Sequence, residues 1–500
     1  MAKSKRRAGV LMPVSALPGS GGIGSLGKSA YNFVDWLSSS GAKIWQILPL
    51  LPLSYGDSPY QACVSNGLNF YFIDPETLKG KGLLKKSDYR EADFCLDKRR
   101  VNYGLMFLNR AKMLKKAFSR FDRTNKEWLD FLSAGEYADF ALFMTLKEKF
   151  NFAEWTAWGE FSVYNEKKVK KFIAENSEEI EFWQFTQYEF LNEWKALKAY
   201  ANSLGIEILG DMPIYVAFDS VEVWKYGKKL FMLEGDNRPK LVAGVPPDAF
   251  SATGQLWGNP VYDWEKMRKN GFSWWKKRIK DALKLYDIVR IDHFRGLDRF
   301  FAIPYGAQDA KNGVWLDGPK KDLFKGMKNK KIIAEDLGII DEGVLKLMAD
   351  TGYPGMRVLQ FGFNTDEHNP HKPSNYIKNT VAYTGTHDNE PIAAFIKKMS
   401  AENFELFNDV FLSECKKADV KVRAKTQKDI CYTAIELLLS SAADTAIIPF
   451  ADVILSGEEA RINEPSVFSE KNWSYRFLNS EISKKAAEKL RTLIEKTGRL

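Results

Sequence analysis

The chain has 500 residues, of which 45% are hydrophobic, so it can bury a large core in one elaborated domain or in two or three smaller ones. Its formal net charge of +9 raises the possibility of nucleic-acid binding, but 64 acidic residues are interleaved with the basic ones, and the basic clusters lie in separate amphipathic or turn-like segments. Those clusters are better explained as solvated helix faces, and no run approaches the roughly 20 apolar residues that a membrane-spanning helix needs.

Strand-like runs alternate with helical patterns along the whole chain. The predicted strands span residues 8–14, 43–48, 207–212, 287–292, 331–335, 357–363, 381–385 and 445–450. An amphipathic helix after the first strand is predicted to end at Gly41, another precedes the fourth strand, and a last one follows Ile482. Strands that alternate with helices are typical of a parallel sheet, so we expect an α/β protein with a (β/α)8 barrel.

Two connections are too long to be simple links. Residues 51–186 follow the second strand and contain a helical, aromatic and charged segment, whereas residues 213–271 follow the third strand and are rich in Gly and Pro. Both follow the C-terminal end of a strand, where barrel enzymes build their active sites. We therefore predict one catalytic barrel over residues 1–500, with a largely helical inserted subdomain at 51–186 and an inserted loop subdomain at 213–271 that carries an active-site lid.

Four of the predicted strands deliver a carboxylate near the same end. The runs EILGDMPIYV, VRIDHFRG, KKIIAEDLG and TVAYTGTHDNE contain Asp211, Asp292, Glu335 and Asp388 in turn. In a parallel barrel these strand ends converge on one face. A structural Arg–Asp pair would explain one such run, but not four in this arrangement. The pattern therefore predicts an active site built from carboxylates.

The same four runs resemble the signature regions of the α-amylase superfamily, and the flanking sequence narrows the resemblance to the 4-alpha-glucanotransferases (amylomaltases, or disproportionating enzymes) of glycoside hydrolase family 77. The matching stretches are GIGSLG, GDSPYQ, KAYANSLGIEILGDMPIYVA, AGVPPDAFSATGQLWGNPVYDW and EARIN. They extend from near the N-terminus to past residue 460, so the resemblance covers essentially the whole chain. It implies transfer of an α-1,4-glucan segment to the 4-hydroxyl of an acceptor glucan or glucose, by a retaining mechanism through a covalent glucosyl-enzyme.

Residue chemistry suggests a role for each carboxylate. Retaining cleavage of a glycosidic bond uses two carboxyl groups about 5–5.5 Å apart. Asp292 is the predicted nucleophile, because we expect the neighbouring Arg290 to outweigh burial and keep it ionised at neutral pH. Glu335 follows an apolar run that could keep it protonated, which suits the general acid and base. Asp388 is predicted to bind sugar hydroxyls more tightly as the transition state forms.

Histidines and aromatic residues complete the predicted site. His293 and His387 stand directly beside proposed catalytic carboxylates and can bind sugar hydroxyls. Tyr60 resembles the family tyrosine that stacks on the sugar at the cleavage point, and aromatic residues of the Gly-rich stretch could cover a bound chain. His368 and His371 lie in a polar segment and are expected at the surface. The predicted substrate-binding residues are Tyr60, Asp211, Asp248, Phe250, Gln255, Trp257, Arg290, His293, Phe361, His387 and Asn463.

No cofactor or metal ion is predicted. A metal site built from the two active-site histidines and their neighbouring aspartates is the rival interpretation, but no HxH, HExxH or EF-hand spacing supports it. The four cysteines form no CxxC pair, which indicates reduced thiols and a cytoplasmic protein. We expect no nucleic-acid, membrane or obligate protein partner.

Two alternatives to a transferase remain open from the residues alone. Hydrolysis and transfer share the same glucosyl-enzyme, so an α-amylase-type hydrolase would need the same carboxylates. A non-catalytic glucan-binding protein is the alternative from another class, and the presence of all three proposed catalytic carboxylates argues against it. The chain also departs from the family pattern, with Ala451 where relatives usually carry glutamine and Pro465-Ser466 in place of Pro-Gly. These departures concern sugar contacts near Asn463.

Overall fold

The structure is a computed structural model that describes residues 6–54, 56–90, 93–247, 251–327, 330–422 and 426–500. Its strands, numbered in chain order, are β1 Arg7–Leu11, β2 Ile44–Gln46, β3 Glu207–Met212, β4 Leu241–Val245, β5 Gln255–Pro260, β6 Ile288–Ile291, β7 Arg299–Pro304, β8 Val314–Asp317, β9 Ile332–Ala334, β10 Gly355–Val358, β11 Thr380–Tyr383 and β12 Thr445–Pro449. Its helices are α1 Lys28–Ser40, α2 Pro75–Gly80, α3 Tyr103–Phe118, α4 Lys126–Ala134, α5 Ala138–Lys149, α6 Glu166–Glu175, α7 Ser177–Ser203, α8 Val221–Tyr226, α9 Trp264–Lys269, α10 Ser273–Leu285, α11 Glu342–Thr351, α12 Ile392–Lys397, α13 Ala401–Lys417, α14 Gln427–Ser440, α15 Phe450–Val453 and α16 Lys484–Lys496.

Eight strands form one parallel sheet in the order β10-β11-β12-β1-β2-β3-β6-β9. Every neighbouring pair in it is parallel. The Ala334 N–H at the end of β9 donates a 2.9 Å hydrogen bond to the carbonyl of Pro354, the residue before β10, and so brings the two edges of the sheet together. The structure is a (β/α)8 barrel, and all eight predicted strands are confirmed as members of it.

The barrel interior is filled by side chains from all eight strands. Ten buried apolar residues form this inner cluster: Leu11, Ile44, Leu209, Ile288, Ile333, Met356, Val358, Val381, Tyr383 and Ile447. Strand alternation sends the intervening residues outward, where they meet the surrounding helices. Gly9 of β1 is required by this packing, since a Cβ there would lie 2.5 Å from Ile447 and 2.7 Å from Ile44.

The helices around the barrel follow the predicted periodicity. Helix α1 ends where the sequence places its stop, because Gly41 adopts a φ of 80°, which glycine adopts far more readily than other residues. Helix α10 precedes β6 as predicted, and α16 is the predicted last helix, which packs against α1 and α14. In the described part of the chain, no helix is long and apolar enough to cross a membrane.

The segment between β2 and β3 contains helices α2 to α7. Trp128, Trp158 and Trp183 are fully buried in this segment and belong to the same hydrophobic cluster as residues of the barrel. The 27-residue helix α7 leads the chain back to the barrel at β3.

The Gly-rich segment after β3 differs from the predicted loop. Strands β4 and β5 pair there as an antiparallel hairpin, and they join β7 and β8 in a four-stranded sheet of order β5-β4-β7-β8. The glycines that suggested a loop instead permit close strand packing, since a Cβ on Gly244 would lie 2.2 Å from the Gln255 carbonyl oxygen. The sequence pattern does not predict β7 and β8. Their hairpin lies inside the connection from β6 to β9, and helical periodicity does not reveal strands in such a connection.

Candidate active site

The carboxylates predicted from the strand ends lie at one end of the barrel. Asp211 is the last residue but one of β3, and Asp292 and Glu335 directly follow β6 and β9. Asp388 lies five residues beyond Tyr383, the end of β11. The end of β6 is tied to the end of β9, because the Phe294 N–H donates a 3.0 Å bond to the Glu335 carbonyl.

Arg290 is the centre of the charge network. Its Nε and Nη2 donate hydrogen bonds of 2.9 and 2.6 Å to the two oxygens of Asp211, and Nη2 donates a 3.1 Å bond to Oδ1 of Asp292. Nη2 also donates to the hydroxyl of Tyr60 at 3.0 Å, and that hydroxyl donates a 2.6 Å bond to Asp211. Arg290 and Asp211 are 3% and 2% exposed, so the bidentate pair is shielded from water.

Asp292 corrects one expectation about charge. Burial raises the pKa of this carboxyl well above its usual value, and the charges on Asp211, Glu335 and Asp388 raise it further, whereas Arg290 opposes the shift without cancelling it. The sequence predicts the opposite balance. The reason is that Arg290 directs two of its bonds to Asp211 and only one to Asp292, so its charge is shared between two carboxylates.

Glu335 sits in the apolar setting that the sequence predicts. It is 8% exposed, and burial raises its pKa to about 7 against the opposing effects of Arg290 and two backbone donors. Those donors are the N–H groups of Leu337 and His293, each 2.7 Å from a different carboxylate oxygen. Because this pKa lies near neutral pH, the Glu335 carboxyl can both donate and accept a proton there.

Asp388 is held by residues from a distant part of the chain. The Asn463 side chain donates a 2.6 Å bond to its Oδ1, and the Arg461 guanidinium donates a 2.8 Å bond to its carbonyl oxygen. The Asn463 N–H donates to the His387 carbonyl at 3.1 Å. Sequence reasoning names Asn463 but misses Arg461, although both lie in the quoted EARIN stretch and their two-residue spacing is the available signal.

Two aromatic contacts form walls beside the carboxylates. The ring of Tyr60 stacks on His387 with 5.3 Å between ring centroids and 12° between ring planes. Trp473 contacts both of these rings at 5.8 Å, and it was missed because its surroundings in sequence carry no catalytic motif. On the opposite side, Trp257 meets His293 edge-on at 4.9 Å.

Burial keeps both active-site histidines in the neutral form. It lowers the pKa of His293 to about 4 with help from Arg295, and it lowers the pKa of His387 against the attraction of Asp388. A neutral imidazole can donate from one nitrogen and accept at the other, which suits sugar hydroxyls.

Of the four remaining predicted binding residues, the structure describes Gln255 and Phe361. Gln255 accepts a 3.1 Å hydrogen bond from the Trp257 indole, and Phe361 is half-exposed with its ring against His371 at 5.5 Å. Asp248 and Phe250 lie outside the described residues.

The structure also describes His368, His371 and Ser466. His371 is not a surface residue as expected, because its Nδ1 accepts a 3.1 Å hydrogen bond from the Val358 N–H at the end of β10, and burial lowers its pKa to about 4. His368 is exposed, as expected. Ser466 adopts a φ of 64°, a left-handed conformation that explains why glycine is the more usual residue there.

Histidine, cysteine and carboxylate side chains are the possible metal ligands in the described part of the chain. Among the described residues, no group of three or more of them could hold a metal ion together. Cys63, Cys415 and Cys431 are buried free thiols, and Cys95 is a half-buried one.

The sequence of this chain is similar to those of 4-alpha-glucanotransferases. The family model described as 4-alpha-glucanotransferase matches residues 12–481. A 4-alpha-glucanotransferase from Clostridium butyricum is 43% identical over 98% of this chain and 100% of its own, and one from Thermus thermophilus is 38% identical over 99% of both.

Solved structures agree in fold. Amylomaltase from Streptococcus agalactiae in complex with acarbose superposes with a TM-score of 0.92 at 37% identity, over 99% of this chain and 100% of that one. Amylomaltase from Corynebacterium glutamicum, at 18% identity and a TM-score of 0.78 over 99% and 75% of the two chains, shows the shared fold alone. By the match to the family model and the full-length relatives, this chain belongs to the 4-alpha-glucanotransferase family.

Proposed function

We propose that Asp292, Glu335 and Asp388 carry out the glucan transfer of this enzyme. The observation that carries the proposal is the junction of the β6 and β9 ends, where a carboxyl in contact with Arg290 lies beside a second carboxyl whose pKa is about 7. Two carboxyls that interact strongly in one site release their protons in separate steps, so one of them can hold a proton while the other is negatively charged.

Although burial holds the pKa of Asp292 above its usual value, the direct contact with Arg290 supports placing the negative charge of this pair on Asp292. A negative charge on Asp292 is stabilised directly by the guanidinium, which contacts it at 3.1 Å. Placing the proton on Glu335 leaves an acid beside the leaving oxygen and an anion beside the anomeric carbon. This distribution is the one that the first step of a retaining transfer needs.

The reaction then proceeds in two displacements. In the first, an Asp292 oxygen forms a bond to the anomeric carbon as the glycosidic bond breaks, and Glu335 gives its proton to the departing 4-oxygen. In the second, Glu335 removes the proton from the 4-hydroxyl of an acceptor, whose oxygen displaces Asp292 from the anomeric carbon. Asp388, oriented by Asn463, binds hydroxyls of the reacting sugar most tightly when its ring flattens.

Substrate binding involves the aromatic walls. Tyr60 stacks on His387, and Trp257 meets His293 edge-on. Flat rings beside the carboxylates can bury the apolar C–H faces of glucose units. Trp257 in β5 contacts His293, the residue after Asp292, which supports a role for residues 213–271 as a cover that limits access of water to the glucosyl-enzyme.

We also propose the substrates, the catalytic unit and the cellular location of this enzyme. The donor is an α-1,4-glucan or maltooligosaccharide, and the acceptor is glucose or another glucan. The barrel over residues 1–500 is the catalytic unit, and residues 51–186 form its helical inserted subdomain. Four free cysteines are consistent with a reducing, cytoplasmic location.

Two experiments test the proposal. Incubation with maltotriose should yield glucose together with a ladder of longer oligosaccharides, whereas a hydrolase would yield glucose and maltose only. For the residue roles, a Glu335→Gln variant should accept an α-glucosyl fluoride, whose departure needs no proton, and accumulate a glucosyl ester. Peptide mass mapping should find the ester on Asp292, and an ester on another residue would refute the assignment.

A further inference from the structure

The active-site loop that carries Asp388 is anchored at both ends by one buried side chain. This loop, residues 384–391, joins β11 to α12 and contains His387 and Asp388. Asp452 lies in α15, the short helix that follows β12, and is 1% exposed. Neither the strand pattern nor the resemblance assigns it a role.

Each carboxylate oxygen of Asp452 holds one end of the loop. Oδ2 accepts a hydrogen bond from the hydroxyl of Thr384, the first loop residue, and Oδ1 accepts a 2.7 Å bond from the N–H of Ile392, the first residue of α12. Thr384 and Ile392 are 0% and 1% exposed, so water does not compete for either donor. Burial raises the pKa of Asp452 to about 6, and the two hydrogen bonds favour the ionised form.

A small cavity lies between the back of the loop and α15. Its volume is about 20 Å³, which is room for roughly one water molecule, and its lining includes His387, Asn389 and Glu390 of the loop and Ala451 and Asp452 of α15. Beside this cavity, the hydrogen bonds that Thr384 and Ile392 donate to Asp452 connect the loop to α15.

The front of the loop is held by other contacts. Asn463 and Arg461 bind Asp388, and Gln360 donates a 2.8 Å bond to the Glu390 carbonyl. Gln360 also holds the loop near its ends, because Glu390 lies next to α12 and the Gln360 N–H donates a 3.3 Å bond to the Thr384 carbonyl. Asp452 adds a hydrogen bond at each junction through a single buried carboxylate. A shift at either junction would rotate the segment that bears Asp388.

We propose that Asp452 is a positioning residue for catalysis, which orients Asp388 by fixing Thr384 and Ile392 at the two ends of the active-site loop. The inference rests on the proposed role of Asp388. Because Asp388 binds the sugar most tightly in the transition state, misplacing it lowers kcat much more than it changes KM.

The test compares two substitutions at Thr384 that differ in one group. Thr384→Val keeps the shape but removes the hydroxyl that donates to Asp452, whereas Thr384→Ser keeps the hydroxyl and removes the methyl group. In maltotriose disproportionation, Thr384→Val should lower kcat on the order of tenfold with KM within about twofold, since a hydrogen bond to a buried carboxylate is lost. Thr384→Ser should restore kcat to within about threefold of the wild type.

Asp452→Asn and a remote control complete the design. The amide at 452 can accept only one of the two bonds, so kcat should again fall about tenfold, and the double variant with Thr384→Val should fall no further. Asp74 is the matched control, because it is also buried and accepts bonds from the Ser25 hydroxyl and the Thr77 N–H at the start of α2. Asp74→Asn should lower the melting temperature while kcat stays within about twofold.

The outcomes separate this inference from the proposed function. Wild-type kcat in Thr384→Val, or an equal loss of kcat in the Val and Ser variants, would overturn the role of Asp452. A loss of kcat in Asp74→Asn that matches the loss in Asp452→Asn would overturn it as well. High activity in Asp388→Asn would instead overturn the role of Asp388, whatever the Thr384 variants show.

Discussion

The backbone N–H of His293 donates a 2.7 Å hydrogen bond to Oε2 of Glu335. His293 follows the proposed nucleophile directly, and it adopts a φ of 46°, a left-handed conformation that is uncommon outside glycine. The Glu335 N–H in turn donates a 3.0 Å bond to the Ile291 carbonyl. These hydrogen bonds join the segments that carry the proposed acid and the proposed nucleophile, which restricts their relative movement.

The nucleophile assignment predicts that Asp292→Asn abolishes transfer. The amide keeps the shape of the carboxylate but cannot form the glucosyl ester, so kcat should fall at least about a thousandfold. Oligosaccharide formation from maltotriose measures the loss, and circular dichroism should show an unchanged fold. Activity within tenfold of the wild type, with deamidation excluded by mass spectrometry, would contradict the assignment.

The raised pKa of Glu335 predicts a decline in activity on the alkaline side of neutrality. Its acid form is populated below a pKa of about 7, so protonation of the leaving oxygen should weaken as the pH rises through that value. The pH profile of kcat/KM for maltotriose measures this limb. With an α-glucosyl fluoride as donor the limb should disappear from the first step, and its persistence there would assign it to another group.

The hydroxyl of Tyr60 is predicted to orient the Arg290–Asp211 pair. Tyr60→Phe keeps the ring on His387 but removes a donor to Asp211 and an acceptor for Arg290. Loss of bonds to charged groups costs about 1.5–3 kcal/mol, so kcat/KM should fall roughly 10- to 100-fold. The matched control is Tyr353→Phe, which removes a hydroxyl that donates to the Met327 carbonyl. This variant should keep activity within about twofold.

Activity is predicted to survive exhaustive treatment with EDTA. The proposed chemistry runs through carboxylates, and the described residues contain no cluster of three metal-type ligands. Transfer rates and the melting temperature, measured before and after chelation, should agree. Loss of either that added calcium restores would reveal a structural ion site.

The proposed cover over the active site, residues 213–271, predicts a change in product partition in Trp257→Ala. The half-buried indole donates to Gln255 within β5 and meets His293 edge-on, so it borders the sugar site. Removing it should cost about 1–3 kcal/mol of glucan binding, by analogy with stacking of bases on aromatic rings. The ratio of glucose release to transfer should then rise, since water competes better for the glucosyl-enzyme.

The control for this variant uses thermal unfolding. Trp257 also packs at the edge of the main hydrophobic core, so a modest fall in melting temperature is compatible with its role. A large fall with an unchanged product ratio would show that the indole serves the core and does not cover the site.

The sequence by itself determined the barrel strands and the carboxylates at their ends. The barrel strands are short and largely apolar, and Asp211, Asp292 and Glu335 lie in the last residues of such a strand or directly after it, as Asp292 follows Ile288–Ile291. Asp388 lies five residues beyond the end of β11. This information is local, and the rule that parallel strands share one functional face converts it into a site. The positions of Asp211, Glu335 and Asp388 could be predicted for the same reason.

Only the tertiary structure decided the electrostatics and the supports of the site. The pKa of Asp292 depends on how Arg290 divides its bonds between Asp292 and Asp211, which lies 79 residues away from Arg290 in the chain. Asn463 reaches Asp388 across 75 residues, and Asp452 reaches Thr384 across 68. The hairpin of β4 and β5 likewise needs β7 as a partner before its Gly-rich residues form strands. Hydrogen bonds and charge contacts of this kind exist only when the closed barrel brings distant segments together, so no local pattern encodes them.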